Sequence, residues 1–277
     1  METASSDGPR RKYANRAAFT RLDLIVCLAT LALLSALGVS SRAKGDTAAR
    51  TVTCLNNLRQ LSQAWLMYAD DFKGNFALNA PDVSQRPNWV RGWLDLASSR
   101  DNTNTLYLVD GRYALLGPYS RKAELYKCPE DFTSIVIGGA TYNRVRSYSM
   151  SAAVGVESVN AIWVRSPPHR IYRNMADLTD PSPSRTWVMI EEHPMSINDG
   201  FFAFEMPLSP PSTRWIDFPA YYHLGAGALN FADGHAELMQ WRDARTRIPY
   251  SQPINALPSP NNSDILNLAA RTSSRLD

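Results

Sequence analysis

The stretch AFTRLDLIVCLATLALLSALGV, residues 18–39, decides how the rest of the chain is read. From Leu22 to Val39 it is apolar almost throughout, interrupted only by Asp23 and small polar residues. It follows a polar segment carrying Arg10, Arg11, Lys12 and Arg16. An apolar run of roughly eighteen residues lies at the short edge of what spans a bilayer as a helix and exceeds most signal-peptide cores. No small-x-small cleavage box closes it, so a retained anchor is expected ahead of an ordinary secretory signal. The basic leader places residues 1–18 on the cytoplasmic side and the remainder outside, with Arg42 and Lys44 opposing that bias. Asp23 needs its own account, because a carboxylate near the start of such a run costs a few kcal/mol in lipid unless it is paired or held at headgroup level.

Helical patterning continues beyond the apolar run. Val52, Leu55, Leu58, Leu61, Trp65 and Tyr68 recur every three or four residues, with Asn56, Asn57, Arg59, Gln60 and Gln63 between them, the pattern of an amphipathic helix lying on a core. No proline separates the two halves, so one near-continuous helix is expected from residue 19 to about 71, with Gly38 and Gly45 as points of bending and Gly74 as a C-terminal cap. At 1.5 Å per residue it would span roughly 80 Å.

Downstream, the composition changes. Most of the 18 prolines and 7 tryptophans lie beyond residue 80, which favours a loop-rich, aromatic-packed body over a helical bundle. Thr186–Ile190 and Phe201–Phe204 read as short strands, and Ala228–Ala232 with His235–Trp241 flank Asp233-Gly234, a strong hairpin signal. The fold class expected is α+β: a long N-terminal helix packed on an antiparallel meander with long loops. The expected divisions are a leader (1–18), a hydrophobic anchor helix (19–45), a head including the second half of the helix (46–247), and a loose extension rich in Pro, Ser and Asn (248–277). A chain of 277 residues with 44% hydrophobic content buries a sizeable core. Its net charge of +3, spread along the whole length, excludes the clustered basic face of a nucleic-acid binder.

The segment Ala18-Phe19-Thr20-Arg21-Leu22-Asp23-Leu24-Ile25-Val26 resembles the processing signal of type IV pilins and type II secretion pseudopilins. The resemblance implies that a prepilin peptidase cuts between Ala18 and Phe19 and that the new amine is methylated. It also makes Asp23, the fifth mature residue, serve assembly; Ala18 stands where the family has Gly and Asp23 where it has Glu. Cys54-Leu55-Asn56-Asn57-Leu58-Arg59-Gln60-Leu61 and Met67-Tyr68-Ala69-Asp70-Asp71 are similar to one branch of pseudopilin-like proteins, whose head ends in a His, nine residues and Asp-Gly. That ending is present as His223, Leu224 to Ala232, and Asp233-Gly234. Lys127-Cys128-Pro129-Glu130-Asp131, Ser147-Tyr148-Ser149-Met150 and Ser196-Ile197-Asn198-Asp199-Gly200 also resemble the branch, so the likeness covers about residues 18–242. It implies a non-enzymatic, single-pass inner-membrane subunit with its head in the periplasm or outside the cell, assembling with other pseudopilin subunits.

An extracytoplasmic head would permit Cys54 and Cys128, the two cysteines outside the anchor, to form a disulfide; the alternative is two buried thiols. Glu191-Glu192-His193, Asp199, His223, Asp233, His235 and Glu237 make up a polar constellation that could bind metal or assist hydrolysis. No His-Glu-x-x-His helix, Cys-x-x-Cys pair, phosphate loop or Gly-x-Ser-x-Gly elbow accompanies it. Turn chemistry alone accounts for the Asp-Gly pairs. The family likeness also suggests calcium, for which Asn198, Asp199 and Asp233 are the right ligand types. A second reading is a membrane-tethered metal-dependent hydrolase or glycan-binding protein, with Trp89, Trp93 and Trp215 as its aromatic surface.

Overall fold

The computed structural model describes residues 20–81, 86–156, 169–251, 254 and 256–276, with backbone alone over 32–44. Ala18, Phe19 and the leader lie outside the described residues. The architecture is α+β with mainly antiparallel sheets. Its first element is α1 (Arg21–Asp71). The chain divides at Asp46 and Thr47 into two compact units. Each is described by itself.

In the first unit Thr20 and Asp23 form a reciprocal cap at the start of α1. The Thr20 N–H and hydroxyl donate to Asp23 Oδ2 at 2.9 and 2.7 Å, and the Asp23 N–H donates to Thr20 Oγ1 at 3.2 Å. A carboxylate three residues after a threonine satisfies two of the donors that every helix start leaves open. Asp23 is thus held locally by its own helix. Leu22, Leu24, Ile25, Val26, Leu28 and Leu31 are all more than half exposed. Among the described residues no helix is long and apolar enough to cross a membrane.

The second unit begins with the C-terminal half of α1. Cys54, Leu58, Leu61, Trp65 and Tyr68 recur at helical spacing and are buried. Val52, placed on this stripe by its spacing, is 65% exposed, one position off the true face. Lys73 and Gly74 end the helix at φ 57° and 85°, and the Gly74 N–H returns to the Ala69 carbonyl at 2.7 Å, closing the last turn.

Among the described residues two single-turn helices follow, α2 (Leu106–Val109) and α3 (Gly117–Ser120), and then ten strands and a further helix. The strands are β1 (Ser134–Ile137), β2 (Ala140–Asn143), β3 (Tyr148–Ser151), β4 (Trp187–Glu191), β5 (Phe201–Phe202), β6 (Phe204–Glu205), β7 (Arg214–Trp215), β8 (Ala226–Phe231), β9 (Ala236–Gln240) and β10 (Leu257–Pro258); α4 is Ser263–Ala269. The central sheet has the order β5-β3-β4-β8-β9, with β10-β7-β6 as a smaller sheet and β1-β2 as a separate hairpin. This corrects the expected meander. The all-buried strand β3 lies between β5 and β4 and pairs in parallel with β5. The Phe201–Phe204 run is split, because β5 joins the central sheet and β6 the smaller one.

Both faces of the central sheet are covered, which is why every residue of β3, β4 and β8 is buried. One face, through Tyr148, Met150, Val188 and Ala228, shares a core with Leu58, Leu61 and Trp65 of α1. The other, through Trp187, Ile190, Leu229 and Phe231, shares one with Trp215, Trp241, Ile265 and Leu268. The last two come from α4. The loose extension expected over 248–277 is therefore replaced by packed structure: β10 pairs with β7, and Asn262 caps α4 by accepting from the Asp264 and Ile265 N–H groups.

The hairpin between β8 and β9 forms as expected around Asp233-Gly234, but with a three-residue loop. Gly234 N–H donates to the Phe231 carbonyl, Phe231 N–H to the His235 carbonyl, and Gly234 alone in the loop has a positive φ, 97°. That is a type I turn followed by a left-handed glycine, not a two-residue turn. Trp89 and Trp215, candidates for an aromatic surface, are fully buried, and Trp93 is half exposed.

Candidate metal centre

Four separate elements deliver one polar side chain each to a single point in the core shared by α1 and the sheet. Cys54 projects from the buried stripe of α1. Cys128 opens the turn Cys128-Pro129-Glu130-Asp131, where the Asp131 N–H returns to the Cys128 carbonyl. Glu191 is the last residue of β4, and His223 opens the turn that leads into β8. The tight turn His223-Leu224-Gly225-Ala226 sets His223, with the His223 and Ala226 backbones bonded in both directions and φ of 53° and 89° at the two central residues. Leu224 in a left-handed conformation is strained, and such strain persists only where the surroundings enforce it.

One atom from each of Cys54, Cys128, Glu191 and His223 lies within 4.8 Å of all the others. Cys54 Sγ is 3.0 Å from Glu191 Oε1, His223 Nε2 is 3.0 Å from the same oxygen, and Cys128 Sγ is 3.6 Å from His223 Nε2. None of the four residues is more than 3% exposed. The disulfide expected between Cys54 and Cys128 is not formed: both are free thiols. The fold brings the two sulfurs together, but each is engaged by other partners. Cys54 Sγ meets Glu191 and, at 3.3 Å, the Tyr148 hydroxyl; Cys128 Sγ meets His223 and accepts the Glu130 N–H at 3.3 Å.

The surrounding bonds orient each donor atom. The Thr51 hydroxyl donates to the Thr47 carbonyl, so its oxygen accepts from His223 Nδ1–H at 2.9 Å, which leaves Nε2 to face the cluster. Glu191 Oε2 accepts the Ala228 N–H at 2.8 Å, leaving Oε1 turned inward. Burial pushes the Cys54 thiol up to about 11 and Cys128 further in the same direction. Burial pulls His223 down, but the bonds to Cys128 and Glu191 outweigh it and raise the imidazole to about 10.

The other histidines stand apart. His193 Nε2 bonds to the Ile248 carbonyl at 2.9 Å, and burial lowers its pKa to about 4. His235 stacks on Phe231 and pairs with Asp233. Glu237 pairs with Arg271. Of the polar constellation legible in the sequence, Glu191 and His223 converge, and the cysteines complete the set.

The three residues proposed for calcium serve their own turns. Asn198 Oδ1 accepts the Asp199 N–H, Asp199 Oδ1 the Phe201 N–H at 2.8 Å, and Asp233 Oδ1 the His235 N–H at 3.1 Å. The one metal-ligand group found among the described residues contains neither acid.

Burial raises the Asp199 carboxyl to about 7, against the opposing Phe201 N–H and Arg146. Because this pKa is raised, the folded chain holds a proton that the unfolded chain loses near pH 4. The associated stability is present in full below about pH 4 and is lost as pH rises through about 7. Asp199→Asn keeps an acceptor for Phe201 and is expected to flatten the decline in urea midpoint between pH 5 and 8. Asp217 titrates in the same direction, so the slope is reduced rather than removed. An unchanged slope in the variant would assign the pH dependence elsewhere.

No family model matches this chain, and no curated protein or solved structure matches it significantly.

Proposed function

We propose that this chain is a pseudopilin-like structural subunit, anchored in the inner membrane and assembled with other subunits through its N-terminal helix. The observation that carries the reading is the first unit's surface. Between Leu22 and Leu31 six aliphatic side chains of α1 are exposed beside the carboxylate of Asp23, which is held by its own N-cap. Such a surface is unfavourable in water, by about 25 cal/mol per Å² of apolar area, and calls for lipid or neighbouring helices as its surroundings. Cutting before Phe19 would place a new amine beside Thr20 and Asp23, a cation for a carboxylate otherwise costly among apolar helices. The α+β second unit, with half of α1 built into its core, suits a head presented to partners. The metal-dependent hydrolase reading gains nothing from the cysteine cluster, whose four donors are all buried; closed four-ligand sets of this kind are structural.

Expression of the full chain with and without a prepilin peptidase tests the reading by intact mass, membrane fractionation and in-membrane crosslinking. The expected results are a membrane-bound product beginning at Phe19 and a ladder of crosslinked multimers. Asp23→Val should keep membrane association and lose the ladder. A chain recovered wholly in the soluble fraction, or a ladder indifferent to Asp23→Val, would overturn the proposal.

A further inference from the structure

We propose that Cys54, Cys128, Glu191 and His223 bind one structural zinc ion that fastens α1 to the central sheet. The donor chemistry selects the metal: two sulfurs, an imidazole nitrogen and one carboxylate oxygen suit zinc and reject calcium and magnesium, which take oxygen ligands. The geometry agrees. Zinc–ligand lengths of about 2.0 to 2.3 Å around a tetrahedron give donor-to-donor edges of roughly 3.3 to 3.8 Å. Three of the six edges, at 3.0, 3.0 and 3.6 Å, lie within a few tenths of an ångström of that range, and the donor atoms all lie within 4.8 Å of one another.

The outer partners match what a zinc site requires. Thr51 holds His223 with Nδ1 protonated and Nε2 inward, the tautomer that ligates through Nε2. Ala228 takes the outer oxygen of Glu191 and leaves the inner one for monodentate binding. The Glu130 N–H and the Tyr148 hydroxyl point at the two sulfurs and would spread the charge of thiolates. Two thiolates and a carboxylate against a divalent cation leave one negative charge, which these donors offset. A disulfide would use only two of the four converging groups. It would leave Glu191 and His223 as a buried pair with no ligand role, whereas zinc employs all four. Because the donors come from α1, the Cys128 turn, β4 and the turn before β8, binding joins segments far apart in sequence and adds stability to the folded state alone.

The test uses the purified full chain in detergent, with zinc alone as the probe. Elemental analysis should find about one zinc per chain. Cobalt should substitute with the visible bands of tetrahedral sulfur ligation, and removing zinc with a chelator should lower Tm by several degrees, reversibly. Cys128→Ser and His223→Ala should lose the metal. Should those variants fail to fold, Thr51→Val, which leaves all four ligands in place, is expected to weaken zinc binding by about 10- to 100-fold. A metal-free chain whose mass is lower by two hydrogens and whose two head thiols are blocked would establish the disulfide and overturn the proposal. So would two free head thiols with no uptake of zinc or cobalt.

Discussion

Trp65→Ala is expected to destabilise the second unit by about 3–5 kcal/mol, the range for deleting a large aromatic from a core that cannot fully collapse. Trp65 is fully buried on the inner stripe of α1, and its ring lies 4.4 Å from that of Phe76. A sharper version compares two Trp→Phe changes of identical chemistry. The Trp65 indole N–H finds no acceptor among the described residues, so Trp65→Phe relieves a buried unpaired donor while it loses volume. The Trp241 indole N–H donates to the Ala220 carbonyl at 2.8 Å, so Trp241→Phe loses volume and strands an acceptor. The second change should cost more than the first by about 1–3 kcal/mol, measured by urea unfolding of the full chain. Equal losses would mean that the Trp65 N–H has a partner in solution.

Asn230→Ala should cost about 2–4 kcal/mol, a large effect for so small a side chain. Asn230 is fully buried and joins two elements. Its Oδ1 accepts the Met189 N–H at 2.7 Å, where the register of β4 on β8 shifts, and its Nδ2 donates to the Leu58 carbonyl of α1 at 2.9 Å. Removing the amide leaves the Met189 N–H unpaired at an irregularity the ladder does not cover, and cuts a direct polar link between helix and sheet. A loss below about 0.5 kcal/mol would show that water or a local shift replaces both bonds.

Asn230 also shows where sequence reading stops. In sequence it is a polar residue within an apolar run, and nothing nearby tells whether it faces solvent or mends a bulge. The hairpin that contains it was legible, because Asp233-Gly234 encodes its turn within five residues, although only the backbone revealed the third loop residue. The inner face of α1 was legible from its spacing to within one position. The tail from 248 onward misled, since Pro, Ser and Asn describe loop-formers whether or not the loops pack. Here Ile265, Leu268 and Ala269 hold α4 in the second core.

By itself the sequence determined what depends on near neighbours: an apolar run after a basic leader, a helix with one buried stripe, and turns at glycines. It also marked Cys54, Cys128 and His223 as notable and supplied Glu191 in a polar constellation. Tertiary structure alone decided that these four meet, and that the cysteines face a carboxylate and an imidazole instead of closing a bridge. The reason is physical. Helix periods and turn types are properties of a few consecutive residues, whereas a four-donor site depends on the register of β4 against β8, the turn that aims His223 and the rotation of α1 over the sheet, none of which any local pattern contains.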